Sequence, residues 1–144
     1  KICDMTPDSP TLTFNNIGRH QNKYSRTMVM SNNSPWLTLT KPGEIYEIPI
    51  SHGEGKFAAS EELVRKLAAN GQIATCYVDL DGNPASDTMF NPNGSICAIE
   101  GILSPDGRVL GKMGHTERYE SDLTKNIVGN KDQKIFESGV AYFL

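Results

Sequence analysis

The stretch ICAIEGILSPDGRVLGKMG, residues 96–114, decides the fold. Two apolar runs flank PDGR (105–108), and Asp-Gly between two apolar runs is a strong signal for a β-hairpin. The stretch therefore predicts two paired strands, over 96–104 and 108–114. A histidine comes directly after the second strand, and a glutamate follows two positions later.

The clearest helix signal lies upstream of the hairpin, in ASEELVRKLAANGQ (59–72). Ser60 is a good N-cap, and two glutamates follow it at the positive end of the helix. Gly71 is typical of a helix C-terminus. Leucine and valine side chains between these two residues form one apolar stripe, so the stretch predicts a helix of about three turns.

Further strands are predicted from short apolar or alternating runs at 26–32, 44–51 and 72–79. Pro49 cannot donate a hydrogen bond within a sheet, so the second of these strands should lie at a sheet edge or stop there. Strands mixed with helices predict an α/β or α+β protein in which flanking helices cover one mixed sheet.

Three other regions complete the pattern. Residues 1–22 are rich in Pro, Asn, Asp and Thr and predict mostly irregular structure. The polar region after the hairpin predicts a helix near Leu123. A packed amphipathic helix is expected at the C-terminal end, from the spacing of Ile135, Phe136, Val140 and Phe143.

Composition excludes several classes of protein. The chain has 144 residues, 38% of them hydrophobic and 22% charged, which suits one globular domain. A net charge of -3 without a basic run gives no reason to expect nucleic acid as a partner. No apolar run approaches the ~20 residues that span a membrane. The three cysteines are odd in number and form no CxxC pair, so a reducing compartment, the cytoplasm, is expected.

Two His-x-Glu pairs are the candidates for chemistry: His52 with Glu54, and His115 with Glu117. Side chains two positions apart in an extended backbone point to the same side. A carboxylate there can accept the ring N–H of the histidine and stabilise its cation, as a general base requires. Such pairs are also common on protein surfaces, and zinc accepts the same ligands, although nothing in the spacing requires a metal.

The cysteines offer no convincing nucleophile. Cys76 and Cys97 lie within apolar strand-like runs and are expected to be small core residues. Cys3 has no sharp turn beside glycine around it, the setting in which a reactive cysteine is usually found. His20 has no acidic neighbour and is expected to be structural or solvated.

Three stretches taken together resemble a known family: IPISHGEGKF (48–57), NGQIATCYVD (70–79) and NPNGSICAIEGILSPDGRVLGKMGHTER (91–118). They resemble the glutaminase part of phosphoribosylformylglycinamidine synthases, the amidotransferases of the purine pathway. The resemblance runs from Arg26 to Tyr119 and continues more loosely towards both ends. SPTLTFNNIGRHQ is similar to the long, fused version of these enzymes rather than to the separate small subunit.

The resemblance implies a flavodoxin-like class I glutamine amidotransferase domain with a Cys-His-Glu triad. His115 and Glu117 match the triad histidine and glutamate, with Thr116 in place of the usual proline of His-Pro-Glu-Arg. His52, Gly53 and Glu54 match the segment that lines the glutamine pocket. The resemblance implies no metal in this site.

The nucleophile of the family sits in a Gly-x-Cys-x-Gly turn, and no such turn occurs in residues 1–144. We therefore expect this stretch to be the C-terminal part of a glutaminase domain, without its nucleophile-bearing N-terminal part and inactive alone. Loss of that part should expose apolar surface and favour self-association.

The resemblance also implies the partners of the domain. Glutamine would be its substrate, and the ammonia would pass to a synthetase region of the same polypeptide that uses ATP and Mg²⁺. Residues 1–144 contain no P-loop pattern and no acidic metal cluster. Two alternatives remain open: a non-catalytic interaction module of the same fold, and a metal-dependent hydrolase using both His-x-Glu pairs.

Overall fold

The structure, a computed structural model, describes residues 5–144 as an α/β arrangement of strands, two helices and short 3₁₀ turns. The strands are β1 (Thr11–Thr13), β2 (Gln21–Val29), β3 (Ile45–His52), β4 (Lys56–Ala58), β5 (Ile73–Tyr77), β6 (Ile99–Leu103) and β7 (Leu110–Lys112). The helices are α1 (Glu61–Ala69) and α2 (Ile135–Phe143), and the 3₁₀ turns are Pro35–Leu37, Ile96–Ala98 and Thr116–Arg118.

The main sheet has five strands in the order β3-β2-β5-β6-β7, and β1 pairs with β4 in a small second sheet. The predicted α/β class is confirmed, but the expectation of a mixed sheet is wrong for residues 5–144, since every strand pair there is antiparallel. A parallel pair needs a long crossover, commonly a helix. Helix α1 instead connects β4, in the small sheet, to β5 in the large one.

The predicted hairpin forms between β6 and β7, with Leu103 opposite Leu110 and Gly107 in the left-handed region at φ 70°. Its first strand begins later than expected, because Ile96–Ala98 is a 3₁₀ turn. The side chain of Asn91 explains this start, since its amide donates to the Ser95 carbonyl at 2.9 Å and its oxygen accepts from the Ser95 N–H at 3.0 Å. Cys97 is therefore exposed, not a core residue as predicted.

The main sheet curls, so that the chain leaving β7 reaches β3 at the opposite edge. The His115 N–H donates to the Pro49 carbonyl at 2.8 Å, and the Glu47 N–H donates to the Asn130 carbonyl at 2.7 Å. Strand β3 is an edge strand of the sheet, as Pro49 predicts. The curl brings the segment after β7 against the end of β3.

Helix α1 forms where predicted. The Ser60 hydroxyl accepts from the Leu63 N–H at 3.2 Å, and Gly71 follows the helix at φ 65°. Val64 and Leu67 are buried. They belong to a core cluster that also contains Phe57, Cys76 and Ile99.

Helix α2 also forms, but its predicted packing face is wrong. Phe136, Val140 and Phe143 are exposed, and the buried side is formed by small residues together with Ile135. Gly139 explains this orientation, because a Cβ there would lie 2.6 Å from the Trp36 ring. The exposed apolar side is consistent with self-association, which stays a prediction.

Residues 5–22 are mostly irregular, as predicted, and contain only β1 and the start of β2 at Gln21; Cys3 lies outside the described residues. The expectation of a helix after the hairpin needs correction. No α-helix forms near Leu123, where the chain makes turns. Neither α1 nor α2 is long and apolar enough to cross a membrane.

Candidate functional site

The histidine and glutamate after β7 form a hydrogen-bonded pair. His115 occupies the position before the 3₁₀ turn Thr116–Arg118, and its Nδ1 lies 2.6 Å from the Glu117 Oε1. The expected contact between the two side chains is confirmed. It is formed by a 3₁₀ turn and not, as expected, by an extended backbone. The catalytic role of the two residues stays a prediction.

Electrostatics favour an ionised Glu117 beside the imidazole. Burial raises the pKa of Glu117, but a hydrogen bond from His115, a backbone hydrogen bond and the charges of His115 and Arg118 together outweigh burial and lower it. The Arg118 Nε lies 3.9 Å from the same carboxylate oxygen that contacts His115. A carboxylate held in this way can fix the tautomer of His115 and leave its Nε2 free for proton transfer.

Both side chains open onto a cleft of about 560 Å³. Trp36, Ile135 and Phe136 form an apolar wall of this cleft, and β7 with the residues on either side of it (108–117) forms the other wall. The His115 side chain is 32% exposed, so its ring is within reach of a ligand in the cleft. This arrangement is suited to proton transfer to and from a bound molecule.

The backbone that carries His115 is held on two sides. The N–H of Gly114 donates to the Glu100 Oε1 at 2.5 Å, and the N–H of His115 donates to the Pro49 carbonyl. Position 114 requires glycine, because a Cβ there would lie 2.6 Å from the Ile48 Cγ2 and 3.0 Å from the Glu100 Oε1. The histidine is therefore presented from a tightly packed segment.

The second His-x-Glu pair does not form. His52 is 8% exposed and packs over Gly55, whereas Glu54 is exposed and has no hydrogen bond or ion pair among the described residues. Strand β3 ends at His52 and the chain bends at Gly53, so the two-residue alternation does not continue. The prediction of a second dyad is wrong, and the matching of His52, Gly53 and Glu54 to a glutamine pocket stays a prediction.

The environment of His52 favours its neutral form. Both ring nitrogens are buried and have no hydrogen-bond partner within residues 5–144. Burial lowers the pKa of His52, as do the charges of His20 and His115, and these effects exceed the opposing ones of a backbone hydrogen bond and Glu100. His20 itself is exposed and contacts the Ser51 hydroxyl at 3.1 Å, which fits the structural or solvated role expected for it.

The sequence analysis missed Asn15, a buried residue that holds the bend after β3. Its amide donates to the His52 carbonyl at 2.8 Å, and its side-chain oxygen accepts from the Gly55 N–H at 3.1 Å. Asn15 lies within the polar N-terminal region that predicts irregular structure, and no local pattern marks it. Its partners are about 40 residues away in sequence, so only the folded chain reveals it.

Neither described cysteine lines the cleft of His115. Cys76 is buried, and burial together with the charges of Glu100 and Cys97 raises its pKa to about 12, which makes it an unreactive thiol. Cys97 is exposed but lines a different cavity of about 210 Å³. The described residues therefore place no thiol beside the imidazole.

A metal centre has no ligand set in the described part of the chain. Residues 5–144 contain no group of three or more His, Cys, Asp or Glu side chains that could hold a metal ion. The two His-x-Glu pairs, which the metal-dependent hydrolase alternative would need together, do not converge on one point. The geometry thus favours acid–base chemistry by one pair.

Comparison with known proteins gives consistent matches over most of the chain. A sequence model of the CobB/CobQ-like glutamine amidotransferase domain matches residues 2–143. The phosphoribosylformylglycinamidine synthase subunit PurQ of Chlorobaculum tepidum is 36% identical over 129 residues, which cover 88% of this chain and 53% of the relative. The subunit PurQ of Methanosarcina acetivorans is 35% identical over 132 residues, covering 91% and 54%.

A solved structure gives the same result. A chain in the structure of PurLQS from Thermotoga maritima superposes with a TM-score of 0.70 at 27% identity, covering 94% of this chain and 54% of that one. The chain thus spans about half the length of the curated relatives it matches.

Proposed function

Because the chain belongs to the CobB/CobQ-like glutamine amidotransferase family, we propose that residues 1–144 are the histidine- and glutamate-bearing part of a glutaminase that supplies phosphoribosylformylglycinamidine synthase with ammonia. The resemblance to that synthase, drawn from three motifs, is confirmed by relatives that are subunits of it. The chain would act in the cytoplasm, in purine biosynthesis.

One observation carries the proposal: the 2.6 Å contact between His115 Nδ1 and Glu117 Oε1, at the wall of a cleft. Glutamine hydrolysis needs a group that takes a proton from the nucleophile and gives one to the leaving ammonia. An imidazole oriented by a carboxylate is suited to both steps. The pair is the expected part of a Cys-His-Glu triad.

In the proposed reaction, a cysteine outside residues 1–144 loses its proton to His115. The thiolate attacks the side-chain amide carbon of glutamine, and the tetrahedral intermediate collapses as His115 protonates the departing ammonia. His115 then takes a proton from water, whose oxygen attacks the thioester; the C–S bond breaks, glutamate is released, and His115 returns the proton to the cysteine thiolate. Glu117 keeps the imidazole oriented throughout and stabilises its cation.

Within the part of the chain that the structure describes, no thiol lines the cleft of His115, which supports a nucleophile from elsewhere in the natural polypeptide. The ammonia would pass to a synthetase component that uses ATP and Mg²⁺ to convert formylglycinamide ribonucleotide to its amidine. We place that component in the same polypeptide, from the resemblance of SPTLTFNNIGRHQ to fused enzymes. No step of the glutaminase reaction itself requires ATP or Mg²⁺.

Ammonia release from glutamine tests the proposal. The natural polypeptide that carries this sequence is expected to release ammonia, whereas the 144-residue chain alone is expected to release none above background. Cys97→Ala in the natural polypeptide should leave the rate unchanged, because Cys97 lines another cavity. Turnover by the isolated chain that disappears in Cys97→Ala would refute the external nucleophile, and a natural polypeptide without glutaminase activity would refute the function.

A further inference from the structure

A pair of buried opposite charges lies behind the candidate site. The Glu100 side chain, on β6, is fully buried and the Lys112 side chain, on β7, is 10% exposed, with 3.9 Å between the Lys112 Nζ and the Glu100 Oε1. Removing two charges from water costs several kcal/mol per ion, so such a pair is weak evidence for a contribution to stability. The hydrogen bonds of the two residues indicate another role.

Each member of the pair holds one side of His115. Glu100 accepts the N–H of Gly114, the residue before the histidine, at 2.5 Å. Lys112 donates to the hydroxyl of Thr116, the residue after it, at 3.0 Å. The segment that presents the imidazole is therefore tied to the buried pair at both neighbouring positions.

The Thr116 contact is closed into a triangle by Gln133, which is completely buried. Lys112 donates to the Gln133 Oε1 at 2.7 Å, and the Thr116 hydroxyl donates to the same oxygen at 3.1 Å. Proline, the usual residue of the family motif at this position, restricts the backbone through its ring. The triangle restrains the same position through hydrogen bonds.

We infer that Glu100 and Lys112 are positioning residues for the His115–Glu117 pair, linked to it through Gly114 and Thr116. Glu100 fixes the backbone on the N-terminal side of His115. Lys112 fixes the first residue of the turn that brings Glu117 back to the ring. The effect of this positioning on catalysis rests on the proposed glutaminase function. The structural link between the buried pair and the His115–Glu117 pair does not.

The charges that act on Lys112 agree with its position between Glu100 and the candidate site. Burial lowers the pKa of Lys112, and the charges of Glu100 and Glu117 oppose that effect. Lys112 thus faces both the buried carboxylate and the one in the site. The charged groups around Glu117 are His115, Arg118 and Lys112.

The experiment follows the carboxyl carbon of Glu117 by NMR during a pH titration of the 144-residue chain. In the unsubstituted chain the pKa of Glu117 lies below its ordinary value of 4.5, because the lowering by His115, the backbone and Arg118 exceeds the raising by burial. Thr116→Val removes two hydrogen bonds of the triangle without changing any charge. The turn should then loosen, and the pKa of Glu117 should rise towards its ordinary value. Thr116→Ser keeps the hydroxyl and should preserve the low pKa.

A second uncharged substitution provides the same test if the first variant does not fold. Gln133→Met removes the shared acceptor and should produce the same rise in the pKa of Glu117. Dispersed amide resonances establish that each variant is folded. A folded Thr116→Val or Gln133→Met chain in which Glu117 titrates as before would overturn the inference.

Kinetics of the natural polypeptide separate this inference from the proposed function. Thr116→Val is expected to lower kcat by about tenfold, with KM little changed, since misplacement of catalytic groups affects the transition state most. If Glu117 responds to Thr116→Val but the polypeptide releases no ammonia from glutamine, the function fails and the positioning stands. If glutaminase activity is present and Thr116→Val alters neither kcat nor Glu117, the positioning fails and the function stands.

Discussion

The sequence His-x-Glu occurs twice in this chain, each time where a strand ends, and the two copies fold differently. At 115–117 the side chains are 2.6 Å apart and open onto a cleft. At 52–54 the histidine is buried without a hydrogen-bond partner in the described residues, and the glutamate points to solvent. Identical spacing has therefore produced one dyad and one separated pair.

The difference lies in the backbone that follows each histidine. A 3₁₀ turn brings Glu117 back to the ring of His115, and buried side chains from β6 and β7 hold that turn. After His52 the chain bends at Gly53, and Asn15 fixes the backbone while the side chains diverge. A two-residue spacing allows a dyad, but residues outside the motif decide whether it forms.

The largest expected effect is on catalysis. In the natural polypeptide, His115→Asn should lower kcat for glutamine hydrolysis by about 10²- to 10⁴-fold, the range for loss of a general acid–base group. His52→Asn should lower kcat much less, because His52 has no carboxylate partner in the structure. Steady-state ammonia release measures both.

His20→Asn is the matched control, since His20 is exposed and lies outside the cleft. Its kcat should equal that of the unsubstituted polypeptide. Equal losses of kcat at positions 52 and 115 would break the contrast between the two pairs, because both histidines would then act in the chemical step.

A smaller effect is expected on stability. Gly114→Ala places a methyl group 2.6 Å from the Ile48 Cγ2, so overpacking should lower the free energy of unfolding by about 1–3 kcal/mol. Gly53→Ala meets no atom within 4 Å and should change the free energy of unfolding by less than about 0.5 kcal/mol. Urea denaturation of the 144-residue chain compares the two glycines, and equal losses would mean that position 114 is not tightly packed.

Local signals predicted the parts of the fold that depend on neighbouring residues. Asp106-Gly107 predicted the hairpin, Ser60 and Gly71 predicted the ends of α1, and Pro49 predicted an edge strand. In each case the backbone requirement and the residue that meets it lie within a few positions of each other. The spacing within 115–117 likewise allowed the contact that the structure shows.

Expectations failed where distant residues decide the outcome. The packing face of α2 was wrong because Gly139 contacts Trp36, about 100 residues earlier in the chain. The expectation for Cys97 was wrong because the Asn91 side chain holds a turn ahead of β6. The hydrogen bond between Lys112 and Gln133 joins residues that no sequence periodicity connects. The His-x-Glu motif of the site could therefore be predicted from the sequence, but the residues that hold it in place could not.

The smallest expected effect concerns pH and the buried histidine. Burial lowers the pKa of His52 below its ordinary value of 6.5, so at mildly acidic pH the unfolded chain takes up a proton more readily than the folded one. The stability that depends on neutral His52 is thus complete above about pH 6.5 and is lost as the pH falls towards the folded-state pKa. His52→Phe, which cannot titrate, should reduce the loss of unfolding free energy between pH 7 and pH 5.

The same substitution at the exposed His20 is the control for His52→Phe. His20→Phe should leave the pH dependence of unfolding nearly as steep as in the unsubstituted chain, because His52 still titrates. The measurement is urea denaturation at half-unit intervals of pH, with each variant compared with the parent. An unchanged slope in His52→Phe would show that the imidazole is protonated as easily in the folded chain as in the unfolded one. The bend after β3 would then have to open to water, and the contrast with the packed turn at 115–117 would lose its structural basis.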